Sequence, residues 1–224
     1  MAIPRGLVMC SALWVFLSWV FIFGWHPPVQ SQAASYGPSL NLLFVSVGIG
    51  IAVGWPLLRL SARPIPKPAM QAALDGLAIF MLLQIVVWPL RLVTSWTLAR
   101  VLALDGALAA AVAITGAMLA LSTGDARPRT RSIAMATMLV VAMLAPLGAW
   151  LFGAERVPTF VEAVSPPALL ARFSAPKPLD PDAADVRVLQ GAATAVAALW
   201  GAVCLSRLRR RRPAIRQVAD DPLS

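Results

Sequence analysis

Residues 68–122 read PAMQAALDGLAIFMLLQIVVWPLRLVTSWTLARVLALDGALAAAVAITGAMLALS, and this stretch decides the fold. It contains two apolar segments of roughly 20 residues, and each is long enough to cross the ~30 Å hydrocarbon core of a bilayer. Between them lies Trp88-Pro-Leu-Arg-Leu-Val-Thr-Ser-Trp96, which has the proline and polar residues of a turn. The stretch therefore predicts a transmembrane helical hairpin.

The whole chain has the composition of a membrane protein. It has 224 residues, of which 59% are hydrophobic and 13% charged, and its mean hydropathy is +0.75, outside the usual range of soluble domains. The net charge of +9 lies in short segments between apolar runs and in the C-terminal segment. This pattern indicates membrane topology, so the lipid bilayer is an expected partner and nucleic acid is not.

The apolar runs predict an all-α, polytopic membrane protein with a six-helix transmembrane bundle. The predicted domain covers residues 1–206, with spans at about 6–25, 40–60, 69–88, 96–122, 133–152 and 188–205. Residues 207–224 form a basic cytoplasmic tail. The first segment could be a signal peptide, because Ser31-Gln-Ala33 resembles a cleavage site. Its apolar run is longer than the apolar core of a signal peptide, which has about 7–15 residues, so a retained span is expected.

The connection between the fifth and sixth spans, residues 153–187, is the longest in the chain. It contains Pro166-Pro167-Ala-Leu-Leu-Ala-Arg-Phe173, where two prolines suit the first turn of a helix and the apolar residues fall on one side. The pattern predicts a short helix between these spans. We expect this helix to lie on the outer membrane surface.

Basic residues alternate between successive loops. One set of loops is rich in arginine and lysine, and the other set is uncharged or nearly balanced in charge. The basic set contains Arg5, then Arg59, Arg63 and Lys67, then Arg127, Arg129 and Arg131, and finally the tail. Positively charged loops stay in the cytoplasm, so the prediction is a multi-pass protein of the cell (inner) membrane with both termini cytoplasmic.

Five polar residues lie within or at the edges of the hairpin spans. Such residues are costly in a membrane and are candidates for a functional or structural role; they are Asp75, Gln84, Arg91, Arg100 and Asp105. The arginines are near a predicted interface, where long side chains can reach lipid phosphates. Either arginine could instead pair with Asp105 and close the hairpin, and a place in a transport path is the alternative for Asp105.

Asp75 lies near the predicted inner end of its span, where Arg63 or Lys67 could pair with it. It shares a small repeat with Asp105: Ala73-Leu-Asp-Gly76 and Ala103-Leu-Asp-Gly106. A catalytic pair of carboxylates must share a proton, but the predicted depths of the two residues differ by roughly 10 Å. An aspartyl protease mechanism is therefore not expected.

The sequence also lacks the residues that other catalytic mechanisms need. The single histidine, His26, lies in a predicted outer loop, and the cysteines Cys10 and Cys204 both fall in apolar segments. No metal-ligand spacing occurs, and no Gly-x-Ser-x-Gly motif has a histidine on another span. We therefore expect no enzyme activity, no cofactor and no metal. An enzyme acting on lipid would have to use Asp75 or Asp105 without an obvious nucleophile.

The C-terminal segment is expected to act as an anchor. Basic residues near a membrane surface are attracted to anionic lipids by ~1 kcal/mol each. The residues concerned are Arg207, Arg209, Arg210, Arg211, Arg212 and Arg216. Docking to an acidic cytoplasmic partner is the alternative.

Two stretches carry a resemblance to a known family. They are 116–134, which leads into an apolar run ending at Ala145-Pro146, and Ser165-Pro-Pro-Ala-Leu-Leu170. With the six-span layout, they resemble the permease subunits of type-2 ABC exporters over about half of the chain. The resemblance implies a separate cytoplasmic ATPase, a homodimer, and transport of a hydrophobic or amphipathic substrate.

The same resemblance implies a coupling loop at 59–68, with Arg59, Arg63 and Lys67 as candidates. That loop is short for such an element, and the chain has no phosphate-binding Gly-x-x-x-x-Gly-Lys-[Ser/Thr] motif. The sequence thus leaves two hypotheses. A wet polar path through the bundle favours a permease-like subunit. A bundle sealed by small residues, with Asp105 paired, favours a non-transporting accessory or assembly subunit.

Overall fold

The structure is a computed structural model that describes residues 5–25, 37–62, 66–94, 96–123, 128–175 and 180–219. These residues are almost entirely helical, and no strand occurs among them. The helices are α1 (Arg5–Trp25), α2 (Gly37–Ile49), α3 (Trp55–Ser61), α4 (Pro68–Val93), α5 (Leu98–Ser122), α6 (Pro128–Phe152), α7 (Thr159–Val164), α8 (Pro166–Ser174) and α9 (Ala183–Ala219).

Five helices are long and apolar enough to cross a membrane. They are Gly37–Ser61, which combines α2 and α3, and then Pro68–Arg91, Leu98–Ser122, Arg129–Phe152 and Ala183–Leu208. The prediction of an all-α protein with several helices able to span a membrane is therefore confirmed. The described apolar part of α1, Gly6–Ile22, is shorter than the other five, so the sixth span stays a prediction.

The predicted hairpin forms from α4 and α5, which pack along each other more extensively than any other pair of described helices. The turn is shorter than predicted, because α4 continues through Pro89 as far as Val93. A proline removes only one helical hydrogen bond when it lies near a helix end. The backbone N–H and the hydroxyl of Thr94 both donate to the carbonyl of Leu90, at 2.9 and 2.7 Å, and end the helix.

A π-helical turn, Gly50–Gly54, joins α2 to α3 without a break. Within it, the N–H of Trp55 donates to the carbonyl of Gly50. Pro56 follows at the first turn of α3, and a proline ring clashes with the carbonyl four residues earlier in a regular α-helix. The wider π-turn accommodates Pro56, so α2 and α3 form one continuous helical segment.

The helix predicted at Pro166–Phe173 forms as α8, but it packs inside the bundle against α2 and α5. Leu169 and Leu170 are both 0% exposed. Pro167 lies against Gly48, which is about 16 Å along α2 from Gly37 and so near the middle of a ~30 Å core. The helix therefore lies within the bundle, and we call α7 and α8, which enter the bundle beside α2, the re-entrant segment. The expected location of this helix on the outer membrane surface stays a prediction.

The apolar side of the predicted helix has a protein partner instead of lipid headgroups. At the other end of α8, Asn41 Nδ2 donates to the Ala171 carbonyl at 2.7 Å and to Ser174 Oγ at 3.0 Å. Asn41 and Gly48 are separated by about 10 Å along α2. Because α8 contacts both, it runs antiparallel to α2 from mid-depth to the end of the bundle.

The break between α7 and α8 is held by one hydrogen bond. Pro146 lies inside α6 and has no N–H for the carbonyl of Ala142, four residues earlier. Ser165 Oγ donates to that carbonyl at 2.8 Å, and Ser165 is fully buried. Pro166 and Pro167 also lack N–H groups, so the start of α8 leaves few unsatisfied donors in the apolar interior.

The contacts define two ends of the bundle. At one end, Arg131 on α6 donates to the carbonyls of Leu60 and Ala62 after α3, at 3.1 and 2.8 Å. At the opposite end, Thr97 before α5 donates to Asp180 before α9. The helices thus alternate in direction as the basic loops predict. The assignment of the basic end to the cytoplasm stays a prediction.

The last helix continues without a break across the predicted boundary at residues 206 and 207, as far as Ala219. Arg207 is exposed. The side chains of Arg209, Arg210, Arg211, Arg212 and Arg216 lie outside the described residues, and so does Arg63. The anchor function of the C-terminal segment stays a prediction.

Replacement of Gly48 tests the packing of α8 on α2. A Cβ atom at Gly48 would lie 2.7 Å from Pro167 Cα, a backbone atom that cannot rotate away. We expect Gly48→Ala to destabilise the protein by about 1–3 kcal/mol through overpacking. The measurement is the thermal unfolding midpoint in detergent, followed by tryptophan fluorescence.

Gly54→Ala is the matched control, because a Cβ atom there has no neighbour within 4 Å. Both variants gain the same helix propensity from alanine, so the difference between their midpoints reports the contact with Pro167. Equal midpoints for the two variants would contradict the re-entrant position of α8.

Candidate functional site

Asp75 is 0% exposed and has two partners. Arg59 donates from Nε and Nη2 to the two carboxylate oxygens, and Gln71 Nε2 donates to Oδ1 at 2.8 Å. A bidentate arginine is a strong and geometrically specific partner for a carboxylate. The prediction that Lys67 pairs with Asp75 is wrong. Lys67 is exposed, and Arg59, which projects from the last turn of α3 directly onto α4, pairs with Asp75 instead.

The pair between Arg59 and Asp75 joins α3 to α4 and leaves little space. The cavity beside Asp75 has a volume of about 10 Å³, which is about enough for one water molecule at most. Arg59 is therefore an internal partner and not a free residue of a coupling loop. Of the three candidates for that loop, only Lys67 is described and exposed.

Asp105 pairs with Gln84 and not with an arginine. Gln84 Nε2 donates to Asp105 Oδ1 at 2.5 Å, and Trp88 Nε1 donates to Gln84 Oε1 at 2.7 Å. Trp88 lies one turn after Gln84 on α4 and orients its amide towards α5. Arg91 is exposed at the end of α4. The hairpin is thus joined by a polar side chain as expected, but the predicted ion pair is replaced by an amide.

Arg100 is 8% exposed and therefore does not extend to the lipid surface as predicted. Its guanidinium donates to the carbonyl of Ala175, just after α8, and lies 4.9 Å from the ring centre of Trp96. A cation is favourable at the C-terminal end of a helix, where carbonyl groups are unpaired. Arg100 thus attaches the start of α5 to the end of the re-entrant segment.

Asp75 and Asp105 each have their own partners in different parts of the hairpin. Gln71 and Gln84, which bind them from α4, are separated by about 20 Å of helix rise. The structure therefore does not bring the two carboxylates together. The described residues also contain no group of three His, Cys, Asp or Glu side chains that could hold a metal ion.

An ionic cluster that the sequence does not predict lies at the re-entrant segment. Arg172 on α8 donates from Nε to Asp185 Oδ1 and from Nη1 to Glu162 Oε2, both at 2.7 Å. The cluster joins α7, α8 and α9. Burial alone lowers the pKa of Arg172, but its hydrogen bonds to Asp185 and Glu162 outweigh burial and raise the pKa above its ordinary value. The guanidinium is therefore charged.

One part of this cluster had a sequence signal. The N–H of Asp185 donates to Asp182 Oδ1 at 2.8 Å, and the N–H of Asp182 donates to Asp185 Oδ2 at 3.2 Å. This reciprocal pair has the geometry of a capping box, and an acidic residue three positions after another, before an apolar run, indicates it. Nothing in the sequence indicates that Arg172 bonds to Asp185, because Arg172 lies on α8 and Asp185 lies on α9.

A cavity of about 410 Å³ lies beside Arg172 and Glu162. Its apolar wall comes from α2, α6 and α8 and includes Val45, Ala145, Pro146, Ala149, Pro167 and Ala168. Ligand sites are typically apolar cavities of about 300–1,000 Å³ with a few converging polar groups. This cavity has both properties and is the candidate functional site.

A second cavity, of about 270 Å³, lies at the π-turn between α1, α2 and α4. Trp14 and Trp55 contribute to its wall, and its other lining side chains are mainly apolar. The indole N–H of Trp55 is buried and has no acceptor among the described residues. Because this N–H is buried, a ligand in the second cavity would not contact it. The cavity beside Arg172 and Glu162 is therefore the stronger candidate.

Comparison of the chain with protein-family models, with curated proteins and with solved structures finds no match. The resemblance to type-2 ABC exporter permeases is therefore not tested by these comparisons. The assignment of the candidate site depends on the geometry of the described residues.

Removal of the Asp75 carboxylate tests the partner of Arg59. Asp75→Ala leaves the half-buried guanidinium of Arg59 without its counter-charge, and we expect a loss of stability of about 3 kcal/mol, the lower end of the range for a buried pair. Lys67→Ala, at the partner that the sequence predicted, is the control and is expected to leave stability unchanged. Thermal unfolding in detergent measures both, and an equal loss in the two variants would show that the pairing is incorrect.

A double-mutant cycle tests the partner of Asp105. Gln84→Leu and Asp105→Leu, made singly and together, are expected to show a coupling energy of about 1–3 kcal/mol, as for a hydrogen bond to a charged group. The same cycle with Arg100→Gln and Asp105→Leu is the control and should give a coupling energy near zero. Strong coupling in the control cycle would restore the predicted ion pair.

Proposed function

We propose that the chain is a non-transporting integral membrane protein that serves as an accessory or assembly subunit. The pairing of the hairpin carboxylates carries this proposal: Asp75, expected near the inner headgroups, is held by Arg59, and Asp105, for which a transport path was the alternative, bonds to Gln84. A transport path needs polar groups that can exchange partners with the substrate or with water. Breaking the ion pair of the buried Asp75 is costly, and the hydrogen bond of Asp105 joins α4 to α5, so both contacts favour one closed arrangement.

The arrangement of cavities also supports a closed bundle. The cavity next to Asp75 is about 10 Å³, and the large cavity beside α8 has mainly apolar walls. Small residues seal the helix contacts: Gly48 lies against Pro167, and Gly116 lies against Trp55.

The peripheral helices offer surfaces for a partner. The membrane-spanning windows of α6 and α9 are each only 17% buried within the protein, compared with 61% for α5. On α6, Trp150 is 81% exposed. Lipid covers such faces in an isolated subunit, and apolar faces of this length are also suited to contact with a neighbouring membrane protein.

The proposed topology has six spans, with both termini in the cytoplasm and the protein in the cell (inner) membrane. The contacts between α1 and α2 support α1 as one of these spans. Trp14 Nε1 donates to the carbonyl of Ser46 at 3.1 Å, and Ser18 Oγ and Ser46 Oγ are 2.8 Å apart. Arg131 and the ends of α3 and α4 lie at one end of the bundle, and the positive-inside rule assigns this end to the cytoplasm.

A permease-like subunit of an ABC-type exporter is the second candidate. The little-buried faces of α6 and α9 favour it, because a second copy could cover them and a path could then lie between two copies. The internal position of Arg59 is a point against it, since a coupling loop that engages an ATPase needs exposed residues.

An affinity purification tests the two candidates. A tag after Ser224 would be used to isolate the protein from membranes in mild detergent, and mass spectrometry would quantify the bound proteins. We expect a stoichiometric membrane-protein partner and no ATPase. A stoichiometric ATPase subunit would overturn the proposal in favour of the permease, and recovery of the chain alone would contradict both.

A variant on the exposed face of α6 makes the test specific. Trp150→Ala is expected to reduce recovery of the partner, because it removes a large exposed aromatic side chain from that face. Phe160→Ala, an exposed aromatic outside the spans, is the control. Equal recovery with both variants would exclude this part of α6 from the interface.

A further inference from the structure

We propose that the cavity beside Arg172 and Glu162 binds one acyl chain of a zwitterionic phospholipid that carries a primary ammonium group. The phosphate would contact Arg172, and the ammonium group would contact Glu162. This inference is independent of the partner of the protein, because it concerns a lipid site within the single chain.

The cavity forms where α6 and α8 pack loosely. α6 contributes Pro146 to the wall, and α8 presents the small residues Ala168 and Ala171 on this side. The resulting space of about 410 Å³ lies within the range of sites for small molecules, about 300–1,000 Å³. Because a lipid chain is already in apolar surroundings in the bilayer, the apolar wall admits a chain without selecting the lipid. Selection must come from the charged end.

The charged end has unused hydrogen-bonding groups. Arg172 uses Nε and Nη1 for Asp185 and Glu162, and its Nη2 has no acceptor among the described residues. Glu162 uses Oε2, and its Oε1 has no donor in the same part of the chain. Both side chains line the cavity and are partly exposed, at 20% and 19%. Guanidinium N–H groups bind phosphate oxygens well, and a carboxylate oxygen accepts from an ammonium group.

The charges around the site favour a headgroup with both signs. Arg172 has two carboxylate partners, Glu162 and Asp185, and Arg100 interacts electrostatically with Asp185. With Asp182, which bonds to the backbone N–H of Asp185, these side chains carry two positive and three negative charges, so the cluster does not attract an anionic lipid by net charge. A zwitterionic headgroup gains a contact at both Arg172 and Glu162.

The depth of the two parts matches a phospholipid. Ala171, next to Arg172, bonds to Asn41, which is about 6 Å along α2 from Gly37. Val45, in the apolar wall, is about 12 Å along the same helix. The charged groups are therefore nearer the end of the bundle than the apolar wall, in the order of a headgroup and its chain.

Lipid binding to the purified full-length chain tests the proposal. The protein would be delipidated in detergent, supplied with phosphatidylethanolamine or phosphatidylglycerol of identical acyl chains, and examined by native mass spectrometry. We expect tighter binding of the ethanolamine lipid. Glu162→Gln should weaken that binding roughly tenfold or more, the loss of one charge-assisted hydrogen bond, and abolish the preference between the lipids.

Ala149→Leu fills the cavity from α6 and should abolish retention of either lipid. Ala136→Leu places the same side chain at an exposed position on α6 and is the matched control for folding and for lipid binding. Unfolding midpoints of the two variants check that both are folded. The proposal is overturned if the wild-type chain retains no lipid, if Ala149→Leu binds as the wild-type chain does, or if phosphatidylglycerol binds equally well.

Discussion

The hydrogen bond from Ser165 to the carbonyl of Ala142 determines where the chain can break inside the apolar bundle. An unpaired carbonyl is costly where no water reaches it, so the carbonyl that Pro146 leaves without an N–H inside α6 requires a donor from elsewhere. Ser165 provides this donor, and the two prolines that follow it start α8 with few N–H groups to satisfy. The re-entrant segment, its contact with Gly48 and the cavity beside it all depend on this arrangement.

Charged side chains follow the same rule as the backbone. Arg59 neutralises Asp75, Gln84 binds Asp105, and Arg100 binds a carbonyl after α8. Each contact joins two elements, so these polar residues hold neighbouring parts of the bundle together. This favours a protein whose role depends on a stable shape within the membrane. The little-buried faces of α6 and α9 are the parts of that shape that remain for partners or lipid.

The cluster around Arg172 differs from the other charged contacts, because its groups are not saturated. Arg172 is shared by α7, α8 and α9 and still lines a cavity with mainly apolar walls. A charged group that is stabilised on one side and open to an apolar space on the other can orient an amphipathic molecule. The proposed lipid site therefore uses a residue that also joins α7, α8 and α9.

The sequence by itself determined the all-helical membrane class, the hairpin of α4 and α5, the helix at Pro166 and the cost of Asp75 and Asp105 in a span, because these depend on local length, hydropathy and charge. It did not determine partners. Arg59, Gln84 and Ala175 bind the predicted residues from other helices, and the position of α8 depends on a carbonyl that Pro146 leaves unpaired on α6. Only the tertiary structure decides such contacts, since helices of similar apolar composition can pack in many ways and the side chains that meet depend on which packing forms.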